Sequence, residues 1–335
     1  MNLKEIKEKI FNSINISTEE TIFIFELIMS GKISEIEIAG ILIALKTKSE
    51  TKDELLGAAL SMREKSLRIT SPENAIDTCG TGGDMSGTLN ISTSSAIVAA
   101  SAGAKVAKHG NRSISSKSGS ADMLENLGYK ISTNLKHLES SLEKNNFCFL
   151  FAQYHHSAMK HVINVRKTLN TRTIFNLLGP LTNPANTKNQ LLGVFDYKWV
   201  KTHCEVLKDL GSKHAMVVHG QDGLDEISLS QNTNIAELKN GTIKEYIFNP
   251  QDYGYQYINN HDIQGGDPEY NAKKFIEMLD GENIKFQHIV ELNAGAALYL
   301  SKKSKNLKEG FELARHVIKK KISKNFLEKI IISNE

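Results

Sequence analysis

Cysteine is scarce in this chain: Cys79, Cys148 and Cys204 are the only three in 335 residues. An odd, widely spaced set gives neither a disulfide scaffold nor metal-ligand spacing, and it fits a reducing, cytoplasmic setting. No run of 18 apolar residues occurs, which excludes a hydrophobic membrane-spanning helix. The opening Met1-Asn2-Leu3-Lys4-Glu5-Ile6-Lys7 is charged and lacks the apolar centre of a secretory leader. An excess of one charge is also missing. With 41 Lys and Arg against 38 Asp and Glu, the net charge of +3 is too small to argue for nucleic acid. Lys319-Lys320-Lys321 reads as the solvated end of a helix. The common phosphate signatures are absent as well. There is no Gly-x-x-x-x-Gly-Lys-Ser/Thr loop, and Gly80, Gly82 and Gly83 miss the Gly-x-Gly-x-x-Gly spacing of a dinucleotide fold. Repeats and low-complexity tracts are lacking too.

What is present is a globular composition, 40% hydrophobic and 24% charged, with a length that suggests about two domains. Residues 1–68 read as helices. Leu3, Ile6, Ile10 and Phe11 recur at helical spacing. Ser17, Ser34 and Thr51 each precede acidic first turns, and Gly31 closes the second helix. The character changes near Pro72. Asn74–Asp77 reads as a strand, Ser92 or Thr93 caps a helix ended by Gly103, and Lys105–Lys108 reads as the next strand, an α/β unit. Phe147–Phe151, Gln190–Val194 and Ala215–His219 are further strands, with a helix over Val200–Leu210. Glu226–Leu229 and Asn234–Leu238 look strand-like, with a hairpin at Gly241. Helices return around Asn271–Leu279, Ile289–Leu300 and Asn306–Lys319. Between the sheet elements, Ile163–Pro184 reads as an irregular, polar-studded crossing of the kind that lines a site or hinge.

Chemistry concentrates in Asp77-Thr78-Cys79-Gly80-Thr81-Gly82-Gly83-Asp84, Asn90-Ile91-Ser92-Thr93-Ser94-Ser95 and Lys108-His109-Gly110-Asn111-Arg112-Ser113-Ile114-Ser115-Ser116-Lys117-Ser118-Gly119-Ser120. Glycines allow close backbone approach, a helix start offers unpaired N–H groups, and Lys108, Arg112 and Lys117 add cationic donors. Such a set suits a polyanion, most naturally a phosphorylated small molecule. An ordinary Gly/Ser-rich loop is the bland alternative for any one segment. Cys79 reads as a small filler rather than a nucleophile, since no base-orienting partner accompanies it. A polyphosphate needs metal ions, and Mg²⁺ prefers one or two carboxylates plus substrate oxygens. Asp225-Glu226, in the Gly-containing loop Gly220–Glu226 after a strand, is the best pair, with a solvated turn as the alternative.

Taken together, Asp77-x-x-Gly80-Thr81-Gly82-Gly83-Asp84, Asn90-Ile91-Ser92-Thr93, Lys108–Ser113, Asp222-Gly223-Leu224-Asp225-Glu226 and Arg172–Pro184 resemble the anthranilate phosphoribosyltransferases over essentially the whole chain. The resemblance implies a small α-helical domain plus a large α/β domain with a mainly parallel central sheet. The helical domain would span 1–70, with a later helical segment near 165–185 packing on it, and the α/β domain 71–335. It implies transfer of the phosphoribosyl group of 5-phosphoribosyl-1-diphosphate (PRPP) to the amine of anthranilate, with release of diphosphate, in tryptophan biosynthesis. It also implies a cytoplasmic homodimer and two Mg²⁺ ions per subunit. Neither nucleic acid nor a membrane is an expected partner, and nothing bears on an association with anthranilate synthase.

Carried over residue by residue, the resemblance gives Gly80, Gly83, Asp84, Thr88, Asn90, Ile91, Ser92 and Thr93 to PRPP. Lys108, His109, Gly110, Asn111, Arg112, Ser113, Ile114, Ser115, Ser116 and Ser120 complete that pocket. Gly80, Asn111 and Arg166 would meet anthranilate, whose carboxylate suits a guanidinium fork; a surface salt bridge is the plainer reading of Arg166. Ser92, Asp225 and Glu226 would hold the metals. No residue is assigned as acid or base. His109 reads as pocket wall more than general base, and His155-His156 as an aromatic wall more than a metal pair. The chain departs from the family at Gln153, Ser157 and Asn164, which bears on the anthranilate channel. Two rival readings are a pyrimidine nucleoside phosphorylase relative, disfavoured by Arg172–Pro184 and Asp225-Glu226, and a non-enzymatic nucleic-acid binder, disfavoured by the metal pair and the small net charge.

Overall fold

The computed structural model describes residues 1–113 and 117–334. Four helices open the chain: α1 (Leu3–Phe11), α2 (Thr18–Met29), α3 (Glu35–Lys48) and α4 (Lys52–Glu64). Ser17/Glu20, Ser34/Glu37 and Thr51/Glu54 form reciprocal capping boxes at the starts of α2, α3 and α4, each cap worth ~1 kcal/mol. Gly31 ends α2 at φ +69°, where a side chain would be strained. Glu54 does more than cap. Fully buried, it accepts from the Ile16 amide at 3.1 Å and pairs with Lys48 at 2.6 Å, so one carboxylate joins α3, α4 and the entry to α2.

The α/β part carries a seven-stranded sheet in the order β3-β2-β1-β4-β5-β6-β7. The strands are β1 (Ile76–Gly80), β2 (Val106–Gly110), β3 (Phe147–Phe151), β4 (Asn189–Gly193), β5 (His214–Gly220), β6 (Thr233–Lys239) and β7 (Thr242–Phe248). The first five pair in parallel, and β6 and β7 add an antiparallel hairpin. Asn240 and Gly241 turn that hairpin with φ of 51° and 77°, the double positive φ of a type I′ turn.

Side chains alternate between two faces. On one, Ile76, Val106, Phe147, Phe149, Leu191, Met216, Val218 and Ile235 pack with α5 (Ile91–Ser101) and the buried helices Ile284–Leu300 and Leu307–Lys319. On the other, Leu192, Val194, Ala215, Val217, Ala236 and Leu238 join one continuous apolar cluster with α1–α4, the helix Trp199–Asp209, and Val165, Ile174 and Leu177. The N-terminal helices therefore share a core with the β4–β6 face.

The structure corrects several expectations. Glu226–Leu229 is not a strand. Its amides bond to side chains instead, Ile227 N–H to Asn293 Oδ1 and Ser228 N–H to Thr233 Oγ1, both at 2.9 Å. The crossing Ile163–Pro184 contains the short helices Ile163–Leu169 and Ile174–Leu178, then a 3-10 turn at Gly179–Thr182. Helices Leu135–Asn145 and Ile322–Ile332 were not singled out, although Asn134 caps the first and Leu135, Leu138 and Leu142 repeat along it. The cap of α5 is Asn90 rather than Ser92 or Thr93, and Asn90 spends its side chain elsewhere.

Candidate active site

The strand order reverses between β1 and β4, since β2 and β3 lie to one side of them and β5–β7 to the other. Open α/β sheets form their ligand crevice at such a point, beyond the carboxyl ends of the strands. Here the two strands end on paired glycines, Gly80 opposite Gly193. The reason is the Asp225 segment lying across them. A Cβ on Gly193 would overlap the Asp225 backbone, and one on Gly80 would overlap its carboxylate. Asp225 Oδ2 accepts the Gly82 N–H at 2.7 Å. Thr81 completes the corner, donating its N–H to Gly193 O at 2.9 Å while its hydroxyl accepts the Phe195 N–H at 3.1 Å. Gly82 and Gly83 turn the chain at φ +65° and +73°, and the Arg172 guanidinium bonds to Gly83 O while lying 4.1 Å from the centre of the Phe195 ring.

Asp225 is half-buried and Glu226 buried. Burial, then the neighbouring Asp84, pushes the Asp225 carboxyl up from 3.8 to about 7. Burial, then the Asp225 charge, pushes the Glu226 carboxyl well up from its ordinary range, with Lys108 and the Ser92 amide opposing. Among the described residues neither carboxylate forms an ion pair, and no three His, Cys, Asp or Glu side chains converge on one point. Two crowded carboxylates without a counter-cation, beside a hydroxyl (Ser92) and a helix start, fit a hard cation that draws its remaining oxygens from a substrate.

Opposite them stands the N-terminus of α5. Thr78 Oγ1 donates to Ser92 O at 3.1 Å. Lys108 is 1% exposed, and its Nζ donates to Thr78 O at 2.6 Å and Ser92 Oγ at 3.4 Å. Burial draws its pKa down, while Asp77 and Glu226 help keep its charge. Asp77 accepts the His109 amide at 3.1 Å and so fixes β2 against β1. Asn90 Nδ2 donates to Ser118 O, tying the helix start to the β2 loop. Thr88 bridges to Gln264, which steadies the 84–89 segment from outside. Asp84 accepts from Ser86 N–H at 3.2 Å.

The remaining expected residues are placed less uniformly. Gly110, Asn111 and Ser120 sit half-buried around the loop mouth, where Ala121 N–H bonds to Asn111 O at 3.2 Å. Ser113 N–H donates to Asp122. Arg112 points its guanidinium at Glu125 (2.5 and 2.7 Å) and Asp122 (3.1 Å) rather than at an open ligand position. Ile114, Ser115 and Ser116 lie outside the described residues. Among the described residues Arg166 makes no salt bridge; it is half-buried, 5.7 Å from the Phe175 ring centre, and burial lowers its pKa. His109 packs edge-on to His156 at 5.2 Å between ring centres, and burial drives both pKa values down, His156 to about 4, so both rings are neutral wall. Cys79 is held between Asp77 and Gln190 with its thiol pushed well up by burial, which removes a thiolate role. Arg172 opens the Arg172–Pro184 run on which the resemblance rests, whereas Gly193 escapes the sequence reading as a site residue. A glycine ending an apolar strand, as Gly193 ends Asn189–Gly193, was the available signal.

Comparison with known proteins matches this arrangement to one class. The family model described as "Glycosyl transferase family, helical bundle domain" matches residues 4–66, and "Glycosyl transferase family, a/b domain" matches residues 72–321. An anthranilate phosphoribosyltransferase of Parvibaculum lavamentivorans is 48% identical over 307 residues, 92% of this chain and 90% of that one. The crystal structure of the Thermus thermophilus enzyme superposes with a TM-score of 0.91 at 37% identity, covering 98% of this chain and 99% of that one. The Saccharomyces cerevisiae enzyme aligns similarly at 26% identity in complex with PRPP and Mg (TM-score 0.90, 99% and 97% covered) and at 25% with 4-fluoroanthranilate (0.87, 98% and 97%). The chain is thus a glycosyltransferase of the helical-bundle plus α/β type. It belongs to the anthranilate phosphoribosyltransferases, the family that moves a phosphoribosyl group from PRPP to anthranilate.

Proposed function

We propose that this chain performs that transfer at the β1/β4 crevice, with Gly80, Gly83, Asp84, Thr88, Asn90 to Thr93, Lys108 to Ser113 and Ser120 around PRPP. Ile114 to Ser116 belong to the same proposal from sequence alone. Ser92, Asp225 and Glu226 hold two Mg²⁺ ions, and Gly80, Asn111 and Arg166 meet anthranilate. The division into a helical part, residues 1–70 with 165–185 packed on it, and a catalytic part, 71–335, belongs to the same reading. The observation that carries it is the unpaired Asp225/Glu226 couple facing the start of α5 across paired glycines.

The chemistry follows from charge. As diphosphate leaves the anomeric carbon, negative charge gathers on its oxygens. The positive end of α5 and the Lys108 ammonium are placed to stabilise it, and such preorganised electrostatics dominate catalysis of this kind. Bound Mg²⁺ would supply further charge neutralisation on the diphosphate. Anthranilate's amine is already nucleophilic, so the protein mainly positions it, with Arg166 as the unpaired cation suited to a carboxylate. The neutral His109 and His156 rings shape the pocket without carrying protons.

The protein acts in the cytoplasm as a homodimer. An apolar groove of about 550 Å³ on the helical part, lined by Ile10, Phe11, Ala39, Gly40, Ile43 and Ala44, supports a second copy as its occupant, with Phe11 49% and Ile43 37% exposed. The direct test is consumption of anthranilate fluorescence with PRPP and Mg²⁺ by purified protein. Phosphorolysis of thymidine or uridine in its place would move the chain to the nucleoside phosphorylases.

A further inference from the structure

One buried polar side chain outside the residues treated so far reaches the site through a bonded chain. Asn271, in the first turn of the helix Pro268–Asp280, is 2% exposed. Its Oδ1 accepts the Gly266 N–H at 2.8 Å, and its Nδ2 donates to Asn90 Oδ1 at 2.8 Å. Asn90 Oδ1 also accepts the Ser118 hydroxyl at 3.2 Å, while Asn90 Nδ2 donates to Ser118 O at 3.2 Å. A carboxamide has one accepting and one donating end. The Gly266 N–H fixes which end of Asn271 faces Asn90. Asn271 in turn fixes Oδ1 as the end of Asn90 that faces it, so that Nδ2 is the end turned to Ser118 O, at the start of α5.

The same residue joins three segments. Gly266 belongs to the strip 263–266, which runs beside 87–89 through Leu89 N–H to Ile263 O (2.9 Å) and Gly265 N–H to Gly87 O (2.8 Å). Asn90 starts α5, and Ser118 lies in the loop after β2. A buried amide with all its partners in place is rigid, and losing one partner leaves the others unsatisfied.

We propose that Asn271 is a positioning residue for PRPP, acting through Asn90: it orients the Asn90 amide toward the diphosphate and holds the 84–90 segment in register with Ser118. This rests on the PRPP site described above. A residue serving stability alone would disturb both substrates alike.

The test combines steady-state kinetics for both substrates with calorimetric PRPP binding in Mg²⁺. The proteins are the native chain, Asn271→Ala, Asn271→Asp, Asn90→Ala and the Asn90→Ala/Asn271→Ala double variant. We expect Asn271→Ala to raise KM and Kd for PRPP about tenfold, with KM for anthranilate within twofold of native. Asn271→Asp should be worse, because it turns an acceptor toward Asn90 Oδ1. In the Asn90→Ala background, removing Asn271 should change PRPP binding less than twofold. Should Asn271→Ala not fold, Asn271→Ser takes its place in the cycle. Equal KM changes for both substrates, or independent losses in the double variant, would overturn the role of Asn271 while native turnover left the site intact. A native chain that consumes no anthranilate would overturn both.

Discussion

At the scale of single residues the site is governed by two carboxylates that form no ion pair among the described residues. The Asp225 carboxyl sits at about 7 when folded against an ordinary 3.8. Across that interval the folded chain holds a proton that the unfolded chain has released. The stabilising contribution is therefore full below 3.8 and lost as pH rises through about 7. Asp225→Asn should consequently raise the metal-free melting temperature more at pH 8 than at pH 5.5, while lowering turnover roughly 100-fold or more. Calorimetric melts and the fluorescence assay read the two effects separately. The same proton competes with metal, so the apparent Mg²⁺ affinity should weaken by up to about tenfold per pH unit below 7; a flat profile there would contradict the carboxylate pair as ligands. Arg166, half-buried over the Phe175 ring and without an ion pair among the described residues, is the matching case for the second substrate. Arg166→Ala should raise KM for anthranilate roughly tenfold or more and leave that for PRPP within twofold.

At the scale of elements, the switch point depends on two strand ends meeting as glycines beneath one acidic loop. Gly193→Ala should be costlier than its distance from the motif residues suggests, because its Cβ would overlap the Asp225 backbone. We expect kcat/KM to fall roughly 100-fold with far-ultraviolet dichroism unchanged. Gly80→Val acts by the same collision, on the Asp225 carboxylate. This sharpens the sequence picture of Gly80 as a gap between two substrates. Much of this was legible in the chain. Strands β3 to β5 announce themselves as short apolar runs, β1 and β2 by the turn and helix set between them, the capping boxes of α2–α4 are local patterns, and the Gly80-to-Asp84 turn is written in glycine. What was not legible is long-range. Glu226–Leu229 alternates like a strand, yet Asn293 and Thr233, distant in sequence or across a turn, claim its amides. Asn90 stands at the cap position of α5 without capping it, because Asn271 and Ser118 occupy its side chain.

At the scale of the molecule, the helical part reaches the sheet through intervening helices, α4 packing on Trp199–Asp209 and Ile174–Leu178. Val165, Ile174 and Leu177 join α1–α4 to the β4–β6 face in a single apolar cluster. The groove beside Phe11 and Ile43 leaves apolar surface that the proposed homodimer would bury. Ile43→Asp should shift the sedimentation of the native species toward the monomer without loss of helical signal; unchanged dimer mass would place the interface elsewhere. The central claim, that metal-bound diphosphate leaves ribose at the Asp225–Glu226 crevice, is tested most directly by anthranilate fluorescence with PRPP and Mg²⁺, for the native chain and for Glu226→Gln. The account predicts Mg²⁺-dependent loss of fluorescence with the native chain, reduced at least about 100-fold in the variant. Undiminished turnover by Glu226→Gln, or none by the native chain, would contradict it.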